Sequence, residues 1–153
     1  MSSFTILQDR VMDLGVVLVK FDHRLGPMVL SNHSSLEEGL LMKLAIKGTS
    51  TLMNGLSYNH VNSRRFRGLM QLSEDTFVYG FDLLLLDEGN DEESFTPIIL
   101  FLVFPSYSVS IVGSNIRKIE QKLYEQTKNL LTVSNIEPRL GIKILSEFQD
   151  MML

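Results

Sequence analysis

The sequence predicts an α/β (α+β) fold: an α/β/α sandwich around a five-stranded, mainly antiparallel sheet, formed by residues 1–153 as a single domain. Three observations lead there. The apolar runs "VVLV", "LLLL" and "IILFLVF" carry no polar alternation, so the strands they form need cover on both faces. Apolar stripes at steps of three and four over residues 36–45, 109–130 and 140–152 supply helices for that cover. The elements follow one another as β-β-α-β-β-β-α-α, with hairpin turns between neighbouring strands.

Taken in order, residues 1–13 carry Phe4, Leu7 and Val11, with Leu14 just beyond, at loosely helical spacing, and are compatible with either a helix or an extended segment. From Gly15, "GVVLVKF" is a β-branched run. Asp22-His23-Arg24-Leu25-Gly26-Pro27 then turns the chain into "MVLS", which makes an opening hairpin. Ser34 precedes Glu37 by three residues, the spacing of a capping box, and Leu36, Leu40, Leu41, Leu44 and Ala45 form one helical stripe with Gly48 as its stop. Residues 50–63, punctuated by Asn54-Gly55, read as a connection.

"RRFRGLMQL" and "TFVYGFDLLLL" are strands joined by a turn at Ser73-Glu74-Asp75, and the acidic "DEGNDEE" leads on to "TPIILFLVF". After Pro105, Val109, Val112, Ile116, Ile119, Leu123 and Leu130 predict one long amphipathic helix. Asn135 breaks it. Pro138 suits the first turn of a last helix, with Leu140, Ile144, Leu145, Phe148 and Met152 as its apolar stripe.

Composition narrows the function classes. A chain of 153 residues buries about 70% of its unfolded surface, enough for one core. With 14 Lys plus Arg against 18 Asp plus Glu, the net charge of −4 offers no general attraction to nucleic acid. Cysteine is absent, which excludes disulfides and thiolate chemistry and suits a cytoplasmic setting. The longest apolar run, Ile98 to Phe104, is far short of the about 20 residues that a spanning helix needs. The start shows no basic region followed by an apolar stretch and a small-residue cleavage site, and it begins Met-Ser rather than Met-Gly, so neither a secretory leader nor myristoylation is expected and membrane contact is expected to be peripheral at most.

The element order and the "FDHRLGP" hairpin resemble the longin domains of membrane-trafficking proteins and the related roadblock-type modules. A longin-like domain implies "VVLVKF" at the sheet centre beside "IILFLVF", one helix on one face and two C-terminal helices on the other. The second C-terminal helix fits longin, while residues 1–13 leave the roadblock arrangement open. The resemblance further implies a non-enzymatic module that binds a small Ras-like GTPase or another longin- or roadblock-type domain, a homodimer included, or that serves a tethering assembly.

Individual residues offer little chemistry beside this. His23, His33 and His60 have no helical metal-ligand spacing, and the His23–Asp22 pair is explained equally by a turn that caps itself. Ser34, Ser106 and Ser108 stand where they would cap helices rather than act as nucleophiles. "GTSTLMNG" lacks the lysine of a phosphate loop, so no nucleotide or other cofactor is expected. Asp87, Glu88, Asp91, Glu92 and Glu93 form a solvated hairpin loop rather than a cation loop. The terminal "FQDMML" either closes the core or faces a partner.

The most concentrated basic segment is Arg64-Arg65-Phe66-Arg67. It is either a partner-binding strip for an acidic surface or the charge that protects an edge strand from aggregation. The expected interface is therefore this strand edge or the outward side of the first helix. The competing possibility is a small enzyme with a site assembled from distant residues.

Overall fold

The computed structural model describes residues 13–22, 25–55, 67–87 and 94–152. Among the described residues the chain is α+β, with one five-stranded antiparallel sheet in the order β2-β1-β5-β4-β3 and four α-helices. The strands are β1 Gly15–Asp22, β2 Gly26–His33, β3 Arg67–Gln71, β4 Thr76–Asp87 and β5 Ser94–Pro105. The helices are α1 Glu38–Gly55, α2 Val109–Ser114, α3 Ile116–Thr127 and α4 Leu140–Met152.

The uniformly apolar strands do need two covers. Alternation along β1 sends Val16 and Leu18 to one face and Val17 and Val19 to the other, and all four are fully buried. On the first face they join Leu100, Leu102, Phe104, Tyr79 and Phe81 beneath Val112, Ile119, Leu123, Ile144 and Phe148 of α2, α3 and α4. On the second they join Ile99, Phe101 and Val103 beneath Leu44 and Ala45 of α1. Each fully buried large side chain contributes about 1.5–3 kcal/mol.

The central pairing is the expected one: Val17 lies opposite Phe101 and Val19 opposite Ile99. Phe21 is only half-buried, because the β1–β5 ladder ends at Lys20 and Ile98. The opening hairpin forms as well, with Asp22 Oδ1 accepting the Leu25 N–H at 2.9 Å and Gly26 at φ +80°, where a side chain would be strained. The turn at residues 73–75 also forms, closed by Leu72 N–H to the Thr76 carbonyl at 2.9 Å.

Four local expectations need correction. Gly48 does not stop α1, which continues to Gly55 through the first part of the expected connection. Gly48 is instead a close approach: a Cβ there would lie 2.2 Å from Phe101 Cζ, so its missing side chain lets the helix settle on the sheet. Ser34 makes no capping box either. Its Oγ accepts the Leu36 N–H at 3.3 Å and donates to Asn32 Oδ1 at 2.5 Å, while the Glu37 carbonyl accepts the Leu41 N–H and opens the helix.

The single helix expected after Pro105 is broken at Asn115. There the Ser114 and Asn115 side chains donate back to the carbonyls of Ser110 and Ile111, both at 2.8 Å, and compete with the helical ladder. Ser108 occupies the N-cap position of α2 but makes no side-chain cap, and Ser106 uses its backbone N–H to reach the Asp75 carbonyl. Lastly, Asp87 is not a solvated loop residue. It ends β4, is buried, and meets Lys20 Nζ at 2.7 Å, while Glu88, Asp91, Glu92 and Glu93 lie outside the described residues.

Candidate functional site: the two sheet edges

An open sheet presents two edge strands whose outward backbone groups can pair with another chain. Here they are β3 and β2, and they are built differently.

The β3 edge is short and fastened. Of the basic segment singled out in the sequence, Arg64, Arg65 and Phe66 lie outside the described residues, and Arg67 is the first residue of β3. Arg67 is half-buried, with its guanidinium 4.0 Å from the centre of the Phe81 ring, a cation–π stack on the neighbouring strand. Its Nε is buried without a hydrogen-bond partner, so this arginine lies down on the sheet. At the other end of β3, Lys47 of α1 donates to the Gln71 carbonyl at 2.8 Å and occupies a backbone acceptor.

Beneath this edge Tyr79, the β4 residue opposite Leu69, is buried and donates its hydroxyl to Glu120 of α3. Burial raises the phenol well above its ordinary range. The hydrogen bond and the negative charge of Glu120 push the same way, with Asp82 adding to them and Arg67 opposing. This network ties α3 to the β3 side of the sheet.

The β2 edge is longer and open. Its eight residues, "GPMVLSNH", include no Asp, Glu, Lys or Arg, and among the described residues it is paired on one side only, with β1. Met28, Val29 and Leu30 are 38%, 39% and 39% exposed. These three residues stay open to solvent although α1 and α4 both approach the strand. A register shift between Leu18 and Val19 leaves Leu30 without an opposite residue, a bulge of the kind that restricts further pairing.

Both helix layers extend the apolar character of this side. On α1, Met42 is 58% exposed and Ile46 is also exposed, and the two stand about 100–140° round the helix from Lys47, which points to β3. On α4, Glu147 faces α3 and accepts a hydrogen bond from Gln126 at 2.9 Å, and Ile142, 54% exposed, stands about 140° away from it. Gly141 beside it lies against His33 at the end of β2: a Cβ at Gly141 would be 2.5 Å from His33 Cδ2. Exposed apolar residues thus occur on α1, β2 and α4.

Other sites offer less. The His33 ring packs on α4, and His23 and His60 lie outside the described residues. A cleft of about 300 Å³ is lined by Asp13, Ser35, Asp75, Ser106 and Tyr107, with Tyr107 donating its hydroxyl to Asp13 at 2.9 Å. A second, of about 390 Å³, holds Gln126, Asn129, Asn135, Glu137 and Lys143 between α3 and α4. Neither brings a histidine to a carboxylate. Among the described residues no three His, Asp or Glu side chains converge as metal ligands, and no helix is long and apolar enough to cross a membrane. Phe148 of the terminal cluster is buried, and Met151 and Met152 pack against the same core, so this end of α4 closes the fold.

The β2 surface was not singled out by sequence reasoning, although the signal was present: of the two strands that become edges, only one lacks charge. Compared with known protein families and with curated proteins, the chain matches no family model and no curated sequence.

Proposed function

We propose that the chain is a non-enzymatic protein-interaction module, longin- or roadblock-like in arrangement, that acts in the cytoplasm and meets membranes only through its partners. The observation that carries this proposal is the β2 edge, an uncharged strand with Met28, Val29 and Leu30 exposed. Contiguous apolar surface of this kind marks binding sites, and a free edge adds main-chain hydrogen bonds to whatever docks there. The class of partner, a small Ras-like GTPase or another longin- or roadblock-type domain, follows from the resemblance in element order. Nucleic acid does not suit an apolar strip on a chain of net charge −4.

The test is a calorimetric titration of the full chain against purified Ras-like GTPases in both nucleotide states and against itself. Saturable binding that Val29→Lys removes, with the thermal melt preserved, supports an interaction module that works through β2. A chain that binds neither, at concentrations up to roughly 1 mM, overturns it.

A further inference from the structure

We infer that the outward face of α3 is a second docking surface, and that its occupant is an acidic helix of another protein. The inference does not rest on the β2 edge.

Charge supplies the first reason. Residues 116–128 carry four cations, Arg117, Lys118, Lys122 and Lys128, against Glu120 and Glu125, whereas the rest of the chain carries ten cations against sixteen acids. All four cations are exposed. Glu120 is turned inward to the Tyr79 hydroxyl, and Glu125 meets Lys122 at 3.9 Å. Among the described residues Arg117, Lys118 and Lys128 form no ion pair. A chain that is acidic elsewhere therefore keeps a positive face here.

Position supplies the second. Arg117 and Lys118 stand in the first turn of α3, where the positive end of the helix disfavours cations, and that turn holds no acid. Helix stability alone favours the opposite choice. Charge placed against the stability of its own helix points to a use outside the fold.

Spacing supplies the third, and it selects the occupant. Arg117, Gln121, Tyr124 and Lys128 follow at steps of four, three and four, so they form one row about 17 Å long, while Ile119, Leu123 and Thr127 are buried on the other side of the helix. Steps of this kind are those of a helix-to-helix seam. A partner helix with Glu or Asp at matching steps sets its carboxylates against Arg117 and Lys128, with Gln121 and the half-exposed Tyr124 ring between them. Other polyanions fit less well. A lipid surface gains from apolar side chains that enter it, and Tyr124 is the only exposed large one on α3. Nucleic acid is held by cations at many phosphates, and here four stand on a chain of net charge −4. Exposed ion pairs are individually weak, so a dissociation constant of roughly 10 μM to 1 mM that rises with salt is the expected behaviour.

The experiment is a fluorescence anisotropy titration of the full chain, at low and moderate salt, against a labelled alanine-based helical peptide of about 18 residues with four Glu at steps of four, three and four. A control peptide has the same composition with its Glu spread round the helix. The row peptide should bind saturably and at least about fivefold more tightly than the control. Arg117→Glu with Lys128→Glu should weaken it at least about tenfold. The two changes act in opposite directions on the helix dipole, so the thermal melt should be preserved. Tyr124→Ala should weaken binding about threefold and carries the test if the double variant melts early. Val29→Lys should leave it unchanged, which separates this surface from β2. A chain that binds neither peptide up to roughly 1 mM overturns the inference, as does binding that neither the double variant nor Tyr124→Ala disturbs. Equal binding of the control peptide, or tighter binding of phosphatidylserine vesicles or of a polyuridine strand, overturns the acidic helix as the occupant.

Discussion

The two edges of one sheet show opposite solutions to the same problem. β3 is closed by its surroundings: Arg67 stacks on Phe81, Lys47 holds the Gln71 carbonyl, and Tyr79 beneath it is fixed to Glu120 on α3. β2 has Pro27, a bulge and no charge, and apolar residues are exposed on the helix layers flanking it. A charged strand in a sequence attracts notice as a binding site, yet on an edge its charges discourage pairing. The lesson is that the quiet strand is the available one.

The largest effect should come from removing the support that both edges share. Leu18 on β1 is fully buried between the neighbouring strands β2 and β5. Leu18→Asp places a charge there without a partner and should destabilise the fold by at least about 3 kcal/mol, with both edges lost together in a urea melt. A melt close to that of the unaltered chain would mean that β1 is not the common foundation.

Next in size is Gly48→Ala. In an open helix this change adds up to about 1 kcal/mol of helix propensity. Here the new methyl would meet Phe101, a ring wholly inside the core, and a net loss of about 1–3 kcal/mol is expected. The sign decides the matter, because a stabilised variant would show that α1 can lift from the sheet without cost. Since α1 carries both Lys47 and Met42, such a shift would alter the two edges at once.

The larger features were legible in the sequence because they depend on periodicity over many residues. "IILFLVF" reads as a strand covered on both faces, and its pairing with β1 is the one that the resemblance in element order implied. What escaped was set by contacts between distant residues. Gly48 looks like a helix stop until Phe101 is seen beneath it, and Asp87 looks solvated until Lys20 reaches it. Asn115 sat inside an intact apolar stripe, yet its side chain bonds the backbone and ends the helix. The candidate site was half legible: of the basic segment only Arg67 falls among the described residues, on the edge strand where it was expected, and the principle of edge protection applied to "GPMVLSNH" points to β2.

A smaller effect sharpens the account of the fastened edge. Tyr79 keeps its proton more firmly in the folded chain than in the unfolded one, so its contribution is fully present below the ordinary tyrosine value of 10.0 and is lost as pH rises above it. Stability should therefore fall on the alkaline side of pH 10.0. Tyr79→Phe should cost about 1 kcal/mol at neutral pH, through the lost hydrogen bond to Glu120, and should flatten the alkaline fall. An equally steep fall in the variant would assign it to other groups.

The smallest change in stability belongs to Lys47→Ala. The hydrogen bond it removes is exposed and water can replace it, so the melt should move by less than about 1 kcal/mol. Its consequence should lie in association. With the Gln71 carbonyl free, β3 offers one more acceptor to a passing strand, and the sheet would then have two available edges. Two usable edges on each copy permit chains of copies where one permits only a pair. Light scattering should accordingly show larger species for Lys47→Ala than for the unaltered chain at the same concentration, and Val29→Lys in the same molecule should suppress them. Should Lys47→Ala associate no more than the unaltered chain, Arg67 stacked on Phe81 is sufficient to close β3, and the further variant Arg67→Ala becomes the one expected to open it.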